Sequence, residues 1–153
     1  MVLSLHKMNS QDIRAVAELE KLCFTDCWSE TMFADMLCGE LDHVWLLKDA
    51  DDTVIGYINY RFLAGEGELM RIAVHPERRG AGAGRKLMEQ MEQDACEQGI
   101  EAITLEVREH NASAIHLYQS FGFQSEAVRK NYYHNPTEDA VIMWQRGLPA
   151  IPT

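Results

Sequence analysis

The sequence has no apolar run near the roughly 18 residues that a membrane helix needs, and its opening MVLSLHKMNSQD turns polar too soon for a signal peptide. The expectation is a cytoplasmic protein with no membrane partner. Proline is scarce, at four residues beside ten glycines, and the mix of 46% hydrophobic and 25% charged residues excludes a disordered or low-complexity chain. The four cysteines, Cys23, Cys27, Cys38 and Cys96, include no C-x-x-C pair and have no histidines at zinc spacing, so no disulfide framework and no metal is expected. They read as free thiols. Cys23 and Cys27 stand four apart on a helix end, which keeps a weak metal site as the alternative to simple packing. Basic excess is also missing: a net charge of -10 argues against nucleic-acid binding and suits a cationic amine or a basic peptide as partner. With no repeat or linker, residues 1–153 read as one domain, long enough to bury roughly 68 to 70% of its unfolded surface.

Val2 to Lys7 alternates apolar and polar residues as a half-buried strand does, and Asn9 with Asp12 makes a capping-box pattern ahead of a helix through Ile13, Val16, Ala17 and Leu19. Trp28, Met32, Phe33, Met36 and Leu37 recur at helical spacing around Ser29, which suits the N-cap of a second short helix that Gly39 stops. His43 to Lys48 and Thr53 to Leu63 are rich in β-branched and aromatic residues, and Asp49-Ala50-Asp51-Asp52 between them signals a hairpin. Gly65-Glu66-Gly67 reads as a tight connection into a strand over Glu68 to His75. After Pro76 the period changes, and Leu87, Met88, Met91 and Ala95 line one face of a helix that ends at Gly99. Ala102 to Val107 is a strand, and Asn111 caps a helix with Ala114, Ile115, Tyr118 and Phe121. Phe123 to Tyr133 and Glu138 to Arg146 form a last hairpin before an irregular tail over Leu148 to Thr153. The order predicts an α+β fold, with a mixed, mostly antiparallel sheet of about seven strands flanked by about four helices.

Four of the 14 basic residues, Arg78, Arg79, Arg85 and Lys86, fall in one window around Gly80-Ala81-Gly82-Ala83-Gly84. A strand that feeds a glycine-rich loop at a helix N-terminus builds an anion site, because unpaired amides and the positive end of the helix dipole face one point. Arginines are mildly unfavourable in a first helical turn, so their placement implies a bound pyrophosphate, with a flexible loop of solvated arginines as the alternative. Neither G-x-x-x-x-G-K-[ST] nor G-x-G-x-x-G is present, which excludes a nucleoside-triphosphate P-loop and a dinucleotide fingerprint.

Two further residues carry chemistry. Glu106 emerges from a strand whose Ile103, Leu105 and Val107 face the other way, and it serves either as a general base or as a salt-bridge partner of Arg108 or Arg71. Tyr118, whose hydroxyl has an ordinary pKa of about 10, is either core packing or an acid able to protonate a departing thiolate.

Arg79-Gly80-Ala81-Gly82-Ala83-Gly84, behind the strand Leu69 to Val74 and Pro76, resembles the R/Q-x-x-G-x-G/A signature of the GNAT acetyltransferases, and the order of elements agrees over nearly the whole chain. Trp28-Ser29-Glu30, Leu105-Glu106-Val107-Arg108, Asn111-Ala112, Leu117-Tyr118, Asn131-Tyr132-Tyr133 and Glu138-Asp139-Ala140 are similar to the RimI type, the ribosomal-protein-alanine acetyltransferases. The resemblance implies acetyl-CoA as cosubstrate. Amides of Ile72, Ala73 and Val74 would pair with its pantetheine arm. Arg79 and the loop Gly80, Ala81, Gly82, Ala83, Gly84 and Arg85 would grip its pyrophosphate, and Asn111 would contact it too. Glu106 becomes the base and Tyr118 the acid, with Trp28, Tyr132 and Tyr133 against the acceptor. That acceptor would be the N-terminal amine of a small basic ribosomal protein that begins with alanine, acetylated directly in a ternary complex by a monomer or weak dimer. The alternatives are acetylation of polyamines or amino sugars and a non-catalytic acyl-CoA-binding module. The chain departs from the family at Cys27, where a proline often stands, at Arg71, which replaces a smaller polar residue, and in a longer tail after Trp144.

Overall fold

A computed structural model describes residues 2–148, so of the tail expected over 148–153 only Leu148 is described. The elements follow the expected order: β1 (Ser4–Lys7), α1 (Ile13–Cys23), α2 (Glu30–Cys38), β2 (Asp42–Lys48), β3 (Val54–Leu63), β4 (Glu66–Val74), α3 (Ala83–Glu97), β5 (Ala102–Arg108), α4 (Ala112–Ser120), β6 (Gln124–Tyr133) and β7 (Glu138–Arg146). The strands run β1-β2-β3-β4-β5-β7-β6 in one seven-stranded sheet. The β4–β5 pair is parallel, whereas β1–β2, β2–β3, β5–β7 and β6–β7 are antiparallel. Contacts divide the chain into two compact units, residues 1–61 with 71–91 and residues 62–70 with 92–153, so that β4 and α3 each contribute to both.

In the first unit the sequence closes its turns as anticipated. The Asn9 side chain accepts from the Gln11 amide, and Asp12 reaches back to the Asn9 amide at 2.9 Å. That box opens a short 3-10 turn, which runs into α1. Ser29 caps α2 by accepting from the Met32 amide at 3.2 Å. The apolar stripe of α1, with Val16, Ala17 and Leu19, packs with Met8, Phe33, Val44, Leu46, Val54, Tyr57 and Ala73 into one buried cluster.

In the second unit β5 alternates as its sequence predicts, with Ile103, Leu105 and Val107 buried and Thr104, Glu106 and Arg108 half-buried. The Tyr118 and Phe123 rings meet at a tilt, 6.0 Å between centroids, and both residues are buried. The connection expected at Gly65-Glu66-Gly67 is different. The turn lies at Ala64 and Gly65, both with positive φ, while Gly67 is inside β4. A Cβ on Gly67 would come within 2.9 Å of the Phe62 ring, so this glycine permits close packing rather than a turn.

Candidate active site

The first unit holds the candidate cosubstrate half. β4 brings Arg71, Ile72, Ala73 and Val74 into line, and His75 continues it with an amide that donates to the Ile55 carbonyl at 2.7 Å. A short 3-10 turn, Pro76–Arg78, then leads to Arg79 and the glycine loop. Gly80 and Gly82 both adopt left-handed φ, +85° and +80°, a conformation that L residues other than glycine adopt rarely. A Cβ at either would meet nothing within 4 Å, so backbone freedom and open approach, not crowding, call for glycine there. α3 begins at Ala83, which places Ala83, Gly84 and Arg85 in its first turn, with no carboxylate among them. The first-turn amides of a 15-residue helix, Arg79 and Arg85 make a set that fits a pyrophosphate.

Not every arginine of the window belongs to that set. Arg78 pairs with Asp49 at 2.8 Å, and the Asp49 carboxyl is held below the usual range, first by the Thr53 amide that donates to it. Arg79 is exposed, and its Nε donates to the Val74 carbonyl at 3.3 Å. The Cys23 thiol donates to the same carbonyl at 3.4 Å, and burial raises its pKa against the opposing effect of Arg79. All four cysteines are free, and among the described residues no group of three metal-ligating side chains comes together.

Arg71 is bound at a place that sequence reasoning missed. Its partner is Glu20, which lies wholly buried on the apolar side of α1 and accepts from the Arg71 guanidinium and the Tyr57 hydroxyl, each at 2.5 Å, and from the Trp28 amide at 2.8 Å. Burial and the neighbouring Glu20 charge push the Tyr57 hydroxyl far above its ordinary pKa. The signal was available, since Glu20 follows Val16 by four and Ala17 by three and therefore shares their buried stripe. Trp28 is half-buried, edge-on to Phe33 and over the Arg71 guanidinium.

The second unit holds the candidate chemical half. Glu106 pairs with neither Arg71 nor Arg108, the two partners expected. Instead it faces Arg129 of β6 at 3.7 Å, and its carboxylate is the leading cause of the raised pKa of the Tyr132 hydroxyl. Arg108, two residues on, pairs with Glu138 at 3.2 Å, donates to the His134 and Pro136 carbonyls and lies over the Tyr133 ring. Glu138 also accepts from the His110 amide at 2.7 Å, and its carboxyl is lowered first by that bond. Tyr132 and Tyr133 meet edge to face, 5.0 Å apart. Tyr118 is buried at 7% exposure, and burial first, then Tyr133, raises its hydroxyl well above the ordinary tyrosine pKa. Asn111 caps α4 by accepting from the Ala114 amide at 3.2 Å. The β5 strand, the α4 helix and the last hairpin thus gather two carboxylates, Glu106 and the Arg108-paired Glu138, and three tyrosines in this unit.

A strand that leads through a glycine loop to a helix N-terminus, on this mixed seven-stranded sheet, is an arrangement able to hold an anionic cosubstrate. The sequence profile of the Acetyltransferase (GNAT) family matches residues 13–123, and the chain belongs to that family. It is an acetyltransferase. The ribosomal protein bS18-alanine N-acetyltransferase of Salmonella typhimurium is 36% identical over 141 residues, covering 89% of this chain and 92% of that one. The enzyme of the same description from Haemophilus influenzae is 36% identical over 143 residues, covering 91% and 95%. The crystal structure of the ribosomal-protein-S18-alanine N-acetyltransferase from Escherichia coli superposes with a TM-score of 0.88 at 29% identity, over 99% of this chain and 97% of that one. Among the described residues no helix is long and apolar enough to cross a membrane.

Proposed function

We propose that residues 1–153 form one domain that transfers acetyl from acetyl-CoA to the N-terminal α-amine of a protein, with the alanine of a small basic ribosomal protein as acceptor. The observation that carries this reading is the grouping of Glu106 with Tyr132 through Arg129, and of Tyr132 with Tyr133, together with similarity to alanine acetyltransferases along nine-tenths of the chain. Acetyl-CoA, when bound, supplies the activated acetyl thioester. Ile72, Ala73 and Val74 align its arm by backbone pairing, while Arg79, the loop 80–84 and Arg85 hold its pyrophosphate. Glu106 takes the proton of the attacking amine, directly or through water, and Tyr118, which burial keeps protonated and makes a weaker acid than a free tyrosine, hydrogen-bonds the departing sulfur and is its proton source. Trp28, Tyr132 and Tyr133 hold the acceptor, and Asn111 joins the cosubstrate side.

Magnitudes favour an α-amine. At pH 7 an amine of pKa about 7.8 is roughly 10% neutral and a lysine under about 0.1%, a difference of about 3.5 kcal/mol in deprotonation. A half-buried glutamate is a modest base, so the easier amine suits it. An acceptor of basic character accords with the net charge of -10. Initial rates with acetyl-CoA and an alanine-starting peptide test the scheme. Direct transfer gives intersecting double-reciprocal lines and no turnover once the peptide amine is blocked, whereas parallel lines would mean an acetylated enzyme instead.

A further inference from the structure

In the first unit the connection between α1 and α2 folds around a cation that the chain itself supplies. The Arg71 guanidinium carbon lies 4.1 Å from the centre of the Phe24 ring and 4.2 Å from that of Trp28. Its Nη1 pairs with the Glu20 carboxylate and donates to the Asp26 carbonyl at 3.1 Å. Glu20 has no exposed surface, and the Arg71 side chain keeps 18% of its own. Two aromatic faces, a buried carboxylate and a carbonyl are the parts of a cation-binding cage. Fold stability alone gives no reason for building one, because a buried ion pair is commonly no better than apolar side chains of the same size. Position gives a reason. Arg71 precedes Ile72 on the strand assigned to the pantetheine arm, and Trp28, near the far end of the connection, is itself assigned to the acceptor.

Resting on that assignment, we propose that Arg71 is a specificity-determining residue: its guanidinium fills the cage of Phe24, Trp28 and Glu20 from within and so withholds the cage from cationic acceptors such as polyamines and lysine side chains. Filled, the cage presents a neutralised pair to the acceptor. Emptied, it would present two ring faces and a carboxylate that keeps its bonds from the Tyr57 hydroxyl and the Trp28 amide but lacks a cation, the surface that attracts an ammonium or guanidinium group. The acceptor left in favour is an amine whose neighbouring side chain is small and uncharged.

Arg71→Ala opens the cage and leaves the rings and the carboxylate in place. Methylguanidinium should raise the melting temperature of Arg71→Ala by about 3 °C or more at saturation, and should leave unmoved both the unsubstituted protein and the double variant Glu20→Gln/Arg71→Ala. If Arg71→Ala is unfolded in buffer, recovery of its helical circular dichroism on adding methylguanidinium is the same readout. In a second arm, the ratio of kcat/KM for spermidine to that for an alanine-starting peptide should rise about 10-fold or more in Arg71→Ala. Equal thermal responses in all three proteins, or an unchanged ratio, overturns the proposal. Should the unsubstituted protein fail to acetylate the peptide, the functional assignment falls, while the thermal arm still reports whether the cage exists.

Discussion

Glu106 and Tyr118 sit in different surroundings, and that difference gives their substitutions opposite pH signatures. Glu106 is half-buried and faces Arg129 and Tyr132, whereas Tyr118 is enclosed. Glu106→Gln and Tyr118→Phe should each lower kcat by roughly 10²- to 10⁴-fold with acetyl-CoA affinity nearly unchanged, the usual range for a positioned base or acid. Without Glu106 only amine that is already neutral reacts, so rate should recover as pH rises past about 7.8, and a flat pH profile would contradict the base. Tyr118→Phe should not recover, because its deficit is a proton for the thiolate. Burial also ties Tyr118 to stability. Its folded pKa is raised, so the neutral hydroxyl contributes its full share below the unfolded value of about 10, and this share is lost as pH rises beyond it toward the folded value. Thermal stability should therefore fall above about pH 10, and less steeply in Tyr118→Phe, with the other raised hydroxyls, buried Tyr57 among them, contributing to what remains. An unchanged slope in Tyr118→Phe would mean that its hydroxyl is not buried in solution.

At the scale of elements, the glycine loop makes the sharpest statement about acetyl-CoA. Gly82→Ala forces an L residue into the left-handed region, a strain of roughly 1 to 2 kcal/mol, and places a methyl group where a phosphate would approach. KM for acetyl-CoA should rise about 10-fold while KM for the acceptor stays within about twofold, measured by initial rates. Gly65→Ala is the control, since Gly65 has the same left-handed φ, +83°, and equally open space at the turn before β4. It should lower the melting temperature comparably and leave both KM values alone. If the two variants behave alike toward acetyl-CoA, the loop is not the cradle. Local chemistry explains why so many elements were legible beforehand. The Asn9–Asp12 box, the Ser29 and Asn111 caps and the Asp49-to-Asp52 turn each lie within a few residues of their partners. Gly67 misled because its reason for being glycine is Ile103 and the Phe62 ring, which proximity along the chain does not fully reveal.

For the whole molecule, element order and the phosphate loop were legible because hydrophobic period and glycine spacing carry them, whereas ion-pair partners were not. Arg71 finds Glu20 across 51 positions, Arg108 finds Glu138 across 30, and Arg78 finds Asp49 across 29. Opposite charges are interchangeable in a sequence, and only the register of the strands and the burial of α1 choose among them. The net charge of -10 is likewise a property of the whole, suited to a basic acceptor without naming its reactive amine. That choice is the core of the functional account. It is tested most directly by incubating the protein with acetyl-CoA and a peptide that begins with alanine and carries internal lysines, then locating the acetyl group by tandem mass spectrometry. The account predicts one acetyl group, on the α-amine of the alanine; acetylation at lysine Nε with the N-terminus left free would contradict it.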